Sequence, residues 1–265
     1  MKALYESLLS DIDASMEAGT ANADYLAVME VINKDYKLYK TYKSAITIVG
    51  KAESGKVLIN GTGKIEFINK TAKSIVNDVF EWNEIDGEFI CFKKNIESLE
   101  GFPRKVYNEN TNGCAININH CKNLKTLKGA PHSMFGGFYC IGCDSLTSLE
   151  GAPEKIAGDF NCRYCDSLKS LKGAPTYLSG SFNCADCKNL ESLEGVPDKI
   201  YGDFDCSGCK SLKSLKGLPS YIEGSLYLPK IDSLFDESGK EIISKIRVKG
   251  RPCVVPINLT YNLQQ

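Results

Sequence analysis

Four Cys-x-x-Cys pairs recur at a constant interval along the chain. Their cysteines are Cys140, Cys143, Cys162, Cys165, Cys184, Cys187, Cys206 and Cys209. Two such pairs can supply the four thiolates of a tetrahedral zinc site, so a zinc-binding repeat protein is one interpretation of the spacing. A thiol–disulfide catalyst needs one reactive, exposed pair, and four copies of the same pair are not typical of that chemistry.

The other interpretation of the cysteines is packing, because a free cysteine behaves as a small buried hydrophobe. The first cysteine of the pair is replaced by Ile118 in one neighbouring repeat and by Leu228 in another. Neither side chain can bind a metal. We therefore expect structural cysteines and no cofactor, with zinc as the less favoured alternative.

These cysteines lie in a 22-residue unit that is marked by Gly-x-Pro. The unit reads Ile-x-Gly-Asp/Ser-Phe-x-Cys-x-x-Cys-x-x-Leu-x-Ser-Leu-x-Gly-x-Pro, for example from Ile156 to Pro175. Phe160 and Cys162 are two residues apart, so they share one face of a short strand. One unit cannot bury its own apolar residues, but stacked units bury them in continuous columns. The two expected columns are Phe138, Phe160, Phe182, Phe204 and Leu149, Leu171, Leu193, Leu215.

Residues 87–235 resemble the leucine-rich-repeat family, whose unit is Leu-x-x-Leu-x-Leu-x-x-Asn/Cys-x-Leu. Phe160-x-Cys162-x-x-Cys165 lies on the Leu-x-Leu-x-x-Asn/Cys segment, with Phe and Cys in place of two leucines. The Ser-Leu-x-Gly-x-Pro return is similar to that of bacterial effector repeats. The resemblance implies an α+β fold, a right-handed solenoid of about seven turns with a parallel β-sheet on its concave face.

The regions outside the repeats are expected to be caps. Residues 1–86 are predicted to form an N-terminal α/β cap, with helices over 1–45, strands over 46–68, a hairpin turn at 61–64 and a helix over 71–82. Residues 236–265 are predicted to form a C-terminal cap with a short helix and strands. The opening segment, residues 2–9, is similar to openings of repeat proteins that tailed phages of gut bacteria encode.

One column of charged residues tests whether the units stack in register. The residue after the second leucine of each return alternates in sign along the chain, in the order Glu100, Lys128, Glu150, Lys172, Glu194, Lys216. Stacked turns place such residues about 5 Å apart, where opposite charges attract. We interpret the alternation as a device that sets the register.

Composition restricts the location and the class of partner. The net charge is −1 and the N-terminus has no apolar segment typical of a secretory signal, so a cytoplasmic protein is expected, in phage-infected host cytoplasm if the phage resemblance holds. No run of about 18 apolar residues predicts a membrane span. Nucleic acid is not an expected partner, because no excess of positive charge is present.

The family binds its partners mainly on the concave strand face, so the resemblance implies a non-catalytic scaffold that binds another protein there. The side chains expected on that face are Tyr139, Asn161, Asn183, Asp205 and Tyr227 in one column, Asp159, Ser181, Asp203 and Ser225 beside it, and Arg163, Tyr164 and Asp186 in the next positions. For a phage-encoded protein, a host or defence-system protein would be the partner.

Two alternatives to a binding scaffold were considered. A structural virion or assembly component would use the solenoid edge or the N-terminal helices for packing. An enzyme is not expected, because the only two histidines, His120 and His132, have no acid–base constellation around them in the sequence, and too few residues follow the repeats for a catalytic domain.

Overall fold

The computed structural model describes residues 21–38, 45–108 and 113–250, and the backbone of 252–253. This part of the chain is mostly β. It contains the helices α1 (Ala21–Asp35) and α2 (Glu237–Ser244) and a 3₁₀ helix (Asp232–Phe235). None of its helices is long and apolar enough to cross a membrane.

Most strands are short and come in two per repeat. The long N-terminal strands and those that follow are β1 (Tyr36–Leu38), β2 (Ala45–Lys51), β3 (Val57–Phe67), β4 (Phe80–Ile90), β5 (Lys105–Tyr107), β6 (Cys114–Asn117), β7 (Ser133–Phe135), β8 (Gly137–Tyr139) and β9 (Lys155–Ala157). The remaining strands are β10 (Phe160–Asn161), β11 (Tyr177–Leu178), β12 (Phe182–Asn183), β13 (Lys199–Ile200), β14 (Phe204–Asp205), β15 (Tyr221–Ile222), β16 (Leu226–Tyr227), β17 (Arg247–Val248) and β18 (Pro252–Cys253).

The units stack as a parallel β-solenoid of about nine turns. We call one row of strands the Phe ladder; it runs from the second half of β4 through β6, β8, β10, β12, β14 and β16 to β18. The other row, the Ile ladder, runs from the first half of β4 through β5, β7, β9 and β11, and then through β13, β15 and β17, which form a separate hydrogen-bonded group. Strands β3 and β4 are long enough to contribute to both ladders, and they pair in parallel from Val57/Phe80 to Glu66/Ile90.

The predicted phenylalanine column is confirmed. Phe138, Phe160, Phe182 and Phe204 are fully buried, and the ring centroids of successive residues are 5.6, 5.2 and 5.8 Å apart. The second leucine of each return is also buried, at Leu149, Leu171, Leu193 and Leu215. Each turn thus completes the core of its neighbours.

Several residues of the alternating charge columns form ion pairs between turns. Lys172 lies 3.1 Å from Glu150, and Lys128 lies 3.6 Å from Glu100. In the parallel column three residues earlier, hydrogen bonds from Lys125 and Lys73 hold the pKa of the Glu97 carboxyl below its usual range. These groups are exposed, so each pair adds little to stability, and we interpret their main effect as one on register.

Antiparallel strands cover the outer edge of β3. Strand β1 pairs with the end of β3, and β2 pairs with its beginning. Helix α1 buries Val28 and Ile32, which are four residues apart and share one face of the helix. Trp82 donates a hydrogen bond from Nε1 to the hydroxyl of Tyr36 at 3.3 Å, which ties β1 to β4.

Three expectations about the N-terminal region are wrong. The helix predicted to continue to residue 45 ends at Asp35, and Tyr36–Leu38 form strand β1. The segment predicted as a helix over 71–82 contains turns followed by the start of β4. The side chains of Asn69 and Asn77 accept backbone N–H groups of the residues that follow them, at 2.8–3.1 Å, and these local turns compete with a helix. The predicted hairpin at 61–64 lies inside β3, whose partner β4 is parallel, so no reversal occurs there.

The turn count and the strand count also differ from expectation. The sequence predicts about seven turns, but β3 and β18 add one turn at each end although neither carries Gly-x-Pro. One sheet was expected, but two ladders are present. In each turn a first short strand, such as Lys155–Ala157 around Ile156, precedes the Gly158–Asp159 corner and the strand of the Phe ladder. The boundary placed between 86 and 87 falls within β4.

The C-terminal expectations are met in part. The short helix is α2, and the strand expected around Arg247 is β17. The helices predicted within 1–20 and the second strand predicted beyond residue 253 lie outside the described residues.

Candidate binding face

The outward residues of the Phe ladder form a single column. Tyr139, Asn161, Asn183, Asp205 and Tyr227 occupy paired positions on successive strands, as the sequence predicts, and each is half-buried. At the usual distance between strands, the two tyrosines lie about 19 Å apart with three polar residues between them.

The three polar residues of this column have a structural role. The side-chain oxygens of Asn161, Asn183 and Asp205 accept the backbone N–H two residues later, at 3.2, 3.0 and 2.9 Å. These contacts are Asx turns, which satisfy the backbone where the chain leaves each strand.

The two tyrosines occupy the positions where this cap is not needed. Beside Tyr139, the backbone N–H of Ile141 donates instead to Oδ1 of Asn119 in the preceding turn, at 2.8 Å. Beside Tyr227, the corresponding residue is Pro229, which has no N–H. Burial and the negative charge of Asp159 raise the pKa of Tyr139, so this phenol stays protonated. Both tyrosine side chains are therefore available for a role other than capping.

The neighbouring column lies at the corner between the two ladders. Oδ1 of Asp159 accepts the backbone N–H of Ser181 at 2.7 Å, and Oγ of Ser181 accepts that of Asp203 at 3.0 Å. Oδ1 of Asp203 accepts the N–H of Ser225 at 2.7 Å. Each turn thus caps the corner of the next, and Asp159 and Asp203 hold backbone in place.

Arg163, Tyr164 and Asp186 form a separate cluster in the loop after the strand. The Arg163 guanidinium lies 5.0 Å from the centre of the Tyr164 ring and 3.4 Å from a carboxylate oxygen of Asp186. Tyr164 and Asp186 both have left-handed backbone conformations, with φ of 58° and 59°. The same position is left-handed in other turns, at Lys93, His120, Gly142 and Gly208.

The predicted site residues therefore fall into two groups. A surface cleft joins most of the two columns; it is lined by Asp159, Asn161, Asn183, Asp203, Asp205 and Tyr227, with Ser181 between them. Tyr139 continues the same column by one turn. Arg163, Tyr164 and Asp186 lie together but do not line this cleft. Sequence analysis placed Ser181 beside Asp159 and Asp203 but did not predict its capping role, and it missed Asn119; both roles depend on the neighbouring turn.

All eight cysteines of the four pairs are fully buried, as the packing interpretation predicts. The second cysteine of a pair donates its thiol hydrogen to a carbonyl oxygen in the preceding turn: Cys165 to Cys140, Cys187 to Cys162 and Cys209 to Cys184, each at 3.2 Å. Burial raises the pKa of the Cys184 and Cys206 thiols well above its usual range, which keeps them neutral.

The cysteines do not come together as ligands. Within 21–38, 45–108 and 113–250, no three His, Cys, Asp or Glu side chains are grouped to hold a metal ion. The thiols of the second cysteines point to backbone oxygens instead, so the donor set does not fit a zinc site.

Comparison with known proteins adds no relative: no family model, curated protein or solved structure matches the chain. The observations that bear on function are therefore the solenoid itself and the geometry of its faces.

Proposed function

We propose that the chain is a leucine-rich-repeat protein without catalytic activity that binds another protein through the outward side of its Phe ladder. In this proposal the solenoid is right-handed and the Phe ladder forms its concave face. The 22-residue period, the parallel strand in every turn and the cysteine at the strand exit support membership of that class.

The placement of Tyr139 and Tyr227 carries the proposal. Each of these half-buried tyrosines stands where other turns have an Asn or Asp that caps the backbone. The cap is not needed in either turn, because Asn119 accepts the Ile141 N–H in one and Pro229 has no N–H in the other. Tyrosine contributes a large, rigid contact area at low entropic cost, and it is enriched among residues that dominate binding energy. The two rings would anchor the ends of a contact about 19 Å long.

The polar residues between the rings define the chemistry of the partner. Asp159 and Asp203 each accept one backbone N–H at Oδ1 and carry a second carboxylate oxygen, whereas Asp205 also accepts from the Ser207 hydroxyl and from Asn183 Nδ2. The partner surface that suits them is basic and rich in hydrogen-bond donors, and charge complementarity of this kind increases the association rate. Arg163 would contact the edge of the same partner.

The histidines support a role without catalysis. His132 is exposed and lies 3.3 Å from the exposed carboxylate of Glu154, and His120 packs edge-on against Phe92. Neither arrangement places an acid, a base and a nucleophile around one cavity. If the chain is encoded by a phage, the partner is a host protein, for example one of a defence system.

The test compares capture of proteins from host lysate by three forms of the chain. The double variant Tyr139→Ala/Tyr227→Ala removes both rings, and the matched control Tyr177→Ala/Tyr201→Ala removes two exposed tyrosines elsewhere on the surface. A true partner is retained by wild type and the control and lost by the Phe-ladder variant. With the purified partner, calorimetry should show an affinity about 30-fold lower or worse for that variant.

Equal capture by all three forms, with thermal unfolding showing each to be folded, would contradict binding on this face. Loss of capture by both double variants would place the contact elsewhere or spread it over both faces. Either result removes the proposal as stated.

A further inference from the structure

The Ile ladder carries a second outward surface with a different composition. In each turn, one inward residue such as Ile156 or Ile200 is flanked by two outward ones. The outward residues of the seven turns from β5 to β17, which we call the basic–aromatic face, are Lys105, Tyr107, Ser133, Phe135, Lys155, Ala157, Tyr177, Ser179, Lys199, Tyr201, Tyr221, Glu223, Arg247 and Lys249. Ten of these fourteen are cationic or aromatic.

Folding concentrates positive charge on this face. It holds five cations and one carboxylate, which is +4, although the whole chain has a net charge of −1. Glu223 is paired with Lys249 at 3.2 Å, and the nearby Glu154 is paired with His132. Asp198, just before β13, lies at its edge, and Glu84 and Asp86 of β4 continue the same two columns beside Lys105 and Tyr107. The candidate binding face has the opposite charge, because it carries four carboxylates and one cation: Asp159, Asp186, Asp203, Asp205 and Arg163.

The aromatic rings of the face are exposed and lie next to one another. Phe135, Tyr177 and Tyr201 are 53%, 46% and 44% exposed. The Tyr201 ring centroid lies 6.2 Å from that of Tyr177 and 6.3 Å from that of Tyr221. Tyr177, Tyr201 and the half-buried Tyr221 form a run of three neighbouring rings, and the two exposed ones contribute little to the core.

Cations and rings also alternate in register along one column. Lys155 pairs with Tyr177, Lys199 pairs with Tyr221, and Tyr221 pairs with Arg247 on the next strand. The Lys249 ammonium lies 5.7 Å from the centre of the Tyr221 ring. Along the solenoid axis, a ligand would therefore meet positive charge and an aromatic surface in turn.

We propose that the basic–aromatic face binds single-stranded nucleic acid without sequence preference. A single strand offers a continuous line of phosphates for the cations, and unpaired bases that stack on exposed rings. A duplex keeps its bases stacked inside and would use only the cations. The composition of the chain hides this surface, because the opposite charges of the other faces cancel it.

The experiment is fluorescence anisotropy of a labelled oligothymidylate of about 12 nucleotides, titrated with the full chain at about 50 mM salt. Tyr177→Ser/Tyr201→Ser should weaken binding about tenfold or more, because each lost stacking contact costs severalfold in affinity. Lys155→Gln/Lys199→Gln should lower the slope of log affinity against log salt by about 1.4, or 0.7 for each phosphate contact. The control Leu26→Ala/Val49→Ala, which changes two exposed side chains outside both ladders, should bind like wild type.

Three outcomes would overturn the proposal. One is no change of anisotropy at about 100 μM protein, a concentration near the weak end of nonspecific binding. The second is unchanged affinity in Tyr177→Ser/Tyr201→Ser. The third is equal affinity for heparin or for a duplex of the same length, which would show a purely electrostatic surface. The test is independent of the protein partner, because it uses another face and a separate control.

Discussion

At the scale of single residues, the cysteines have two roles, packing in the core and hydrogen bonding to the preceding turn. The first cysteine of a pair fills an inward strand position, and the second satisfies a buried carbonyl of the preceding turn. The exchange of the first cysteine for Ile118 and Leu228 made the packing role predictable from sequence. The thiol hydrogen bond was predictable only through the family resemblance, since its acceptor is 25 residues away.

Removal of one thiol donor should show the second role. Cys165→Ala leaves the carbonyl of Cys140 buried without its donor, whereas Cys162→Ala removes a buried sulfur whose hydrogen-bond partner is the Cys187 thiol and not a backbone carbonyl. Both variants lose similar packing, so Cys165→Ala should be less stable than Cys162→Ala by about 1 kcal/mol. Urea unfolding midpoints measure this difference. Equal midpoints would mean that the thiol acts by packing alone.

The left-handed position in the strand-exit loop is a feature that sequence could not reveal. Only two of its six residues are glycine, at Gly142 and Gly208; the others are Lys93, His120, Tyr164 and Asp186. A Cβ at Gly142 would lie 2.6 Å from the His120 ring, and one at Gly208 would meet the Asp186 carboxylate. Residue choice there follows from the neighbouring turn, which a single repeat does not show.

At the scale of the element, the corner between the ladders depends on side chains of the preceding turn. The sequence indicated that Asp159 and Asp203 face outward, but it gave no sign that they accept backbone N–H groups. Asp and Ser alternate at this corner because either oxygen can reach the same N–H.

Asp203→Ala should expose this dependence. The N–H of Ser225 loses its acceptor, so the protein should be destabilised by about 1 kcal/mol, and hydrogen exchange at the Ser225 amide should accelerate. Asp203→Ser restores the arrangement that Ser181 has in the preceding repeat, and it should be close to wild type. If Ala and Ser variants exchange alike at Ser225, the hydrogen bond has no part in holding the corner.

Elements outside the repeats were harder to predict than those within them. Inside the array, the period fixes each strand by comparison with its copies. Residues 71–82 have no copy, and their apolar spacing favoured a helix although Asn69 and Asn77 form local turns. Strand β4 was missed in its first half because its partner β3 lies outside the Gly-x-Pro pattern.

At the scale of the whole molecule, stability depends on contacts between adjacent turns, so the order of turns matters. Deletion of 151–172 removes one turn and places Glu150 beside Glu194. Deletion of 151–194 removes two turns and places Glu150 beside Lys216, which keeps the alternation. The first variant should be stabilised by a rise from about 0.05 to 1 M salt, because screening weakens repulsion. The second variant should gain less stability from the same rise in salt.

Thermal unfolding at the two salt concentrations gives the comparison, with the full chain as reference. An equal response of both deletions to salt would show that the charge columns do not set the register. The position of the columns was predictable from sequence, because both signs recur at fixed intervals. Which residues pair, for example Lys172 with Glu150 at 3.1 Å, required the coordinates.

The alternation of charge also limits how such a gene can change in length. Loss or gain of 22 residues leaves one pair of like charges at the junction, whereas 44 residues leave none. Natural variants of this array should therefore differ in size by even numbers of repeats more often than by odd numbers. Sequenced homologues of different length would show whether selection has respected that rule.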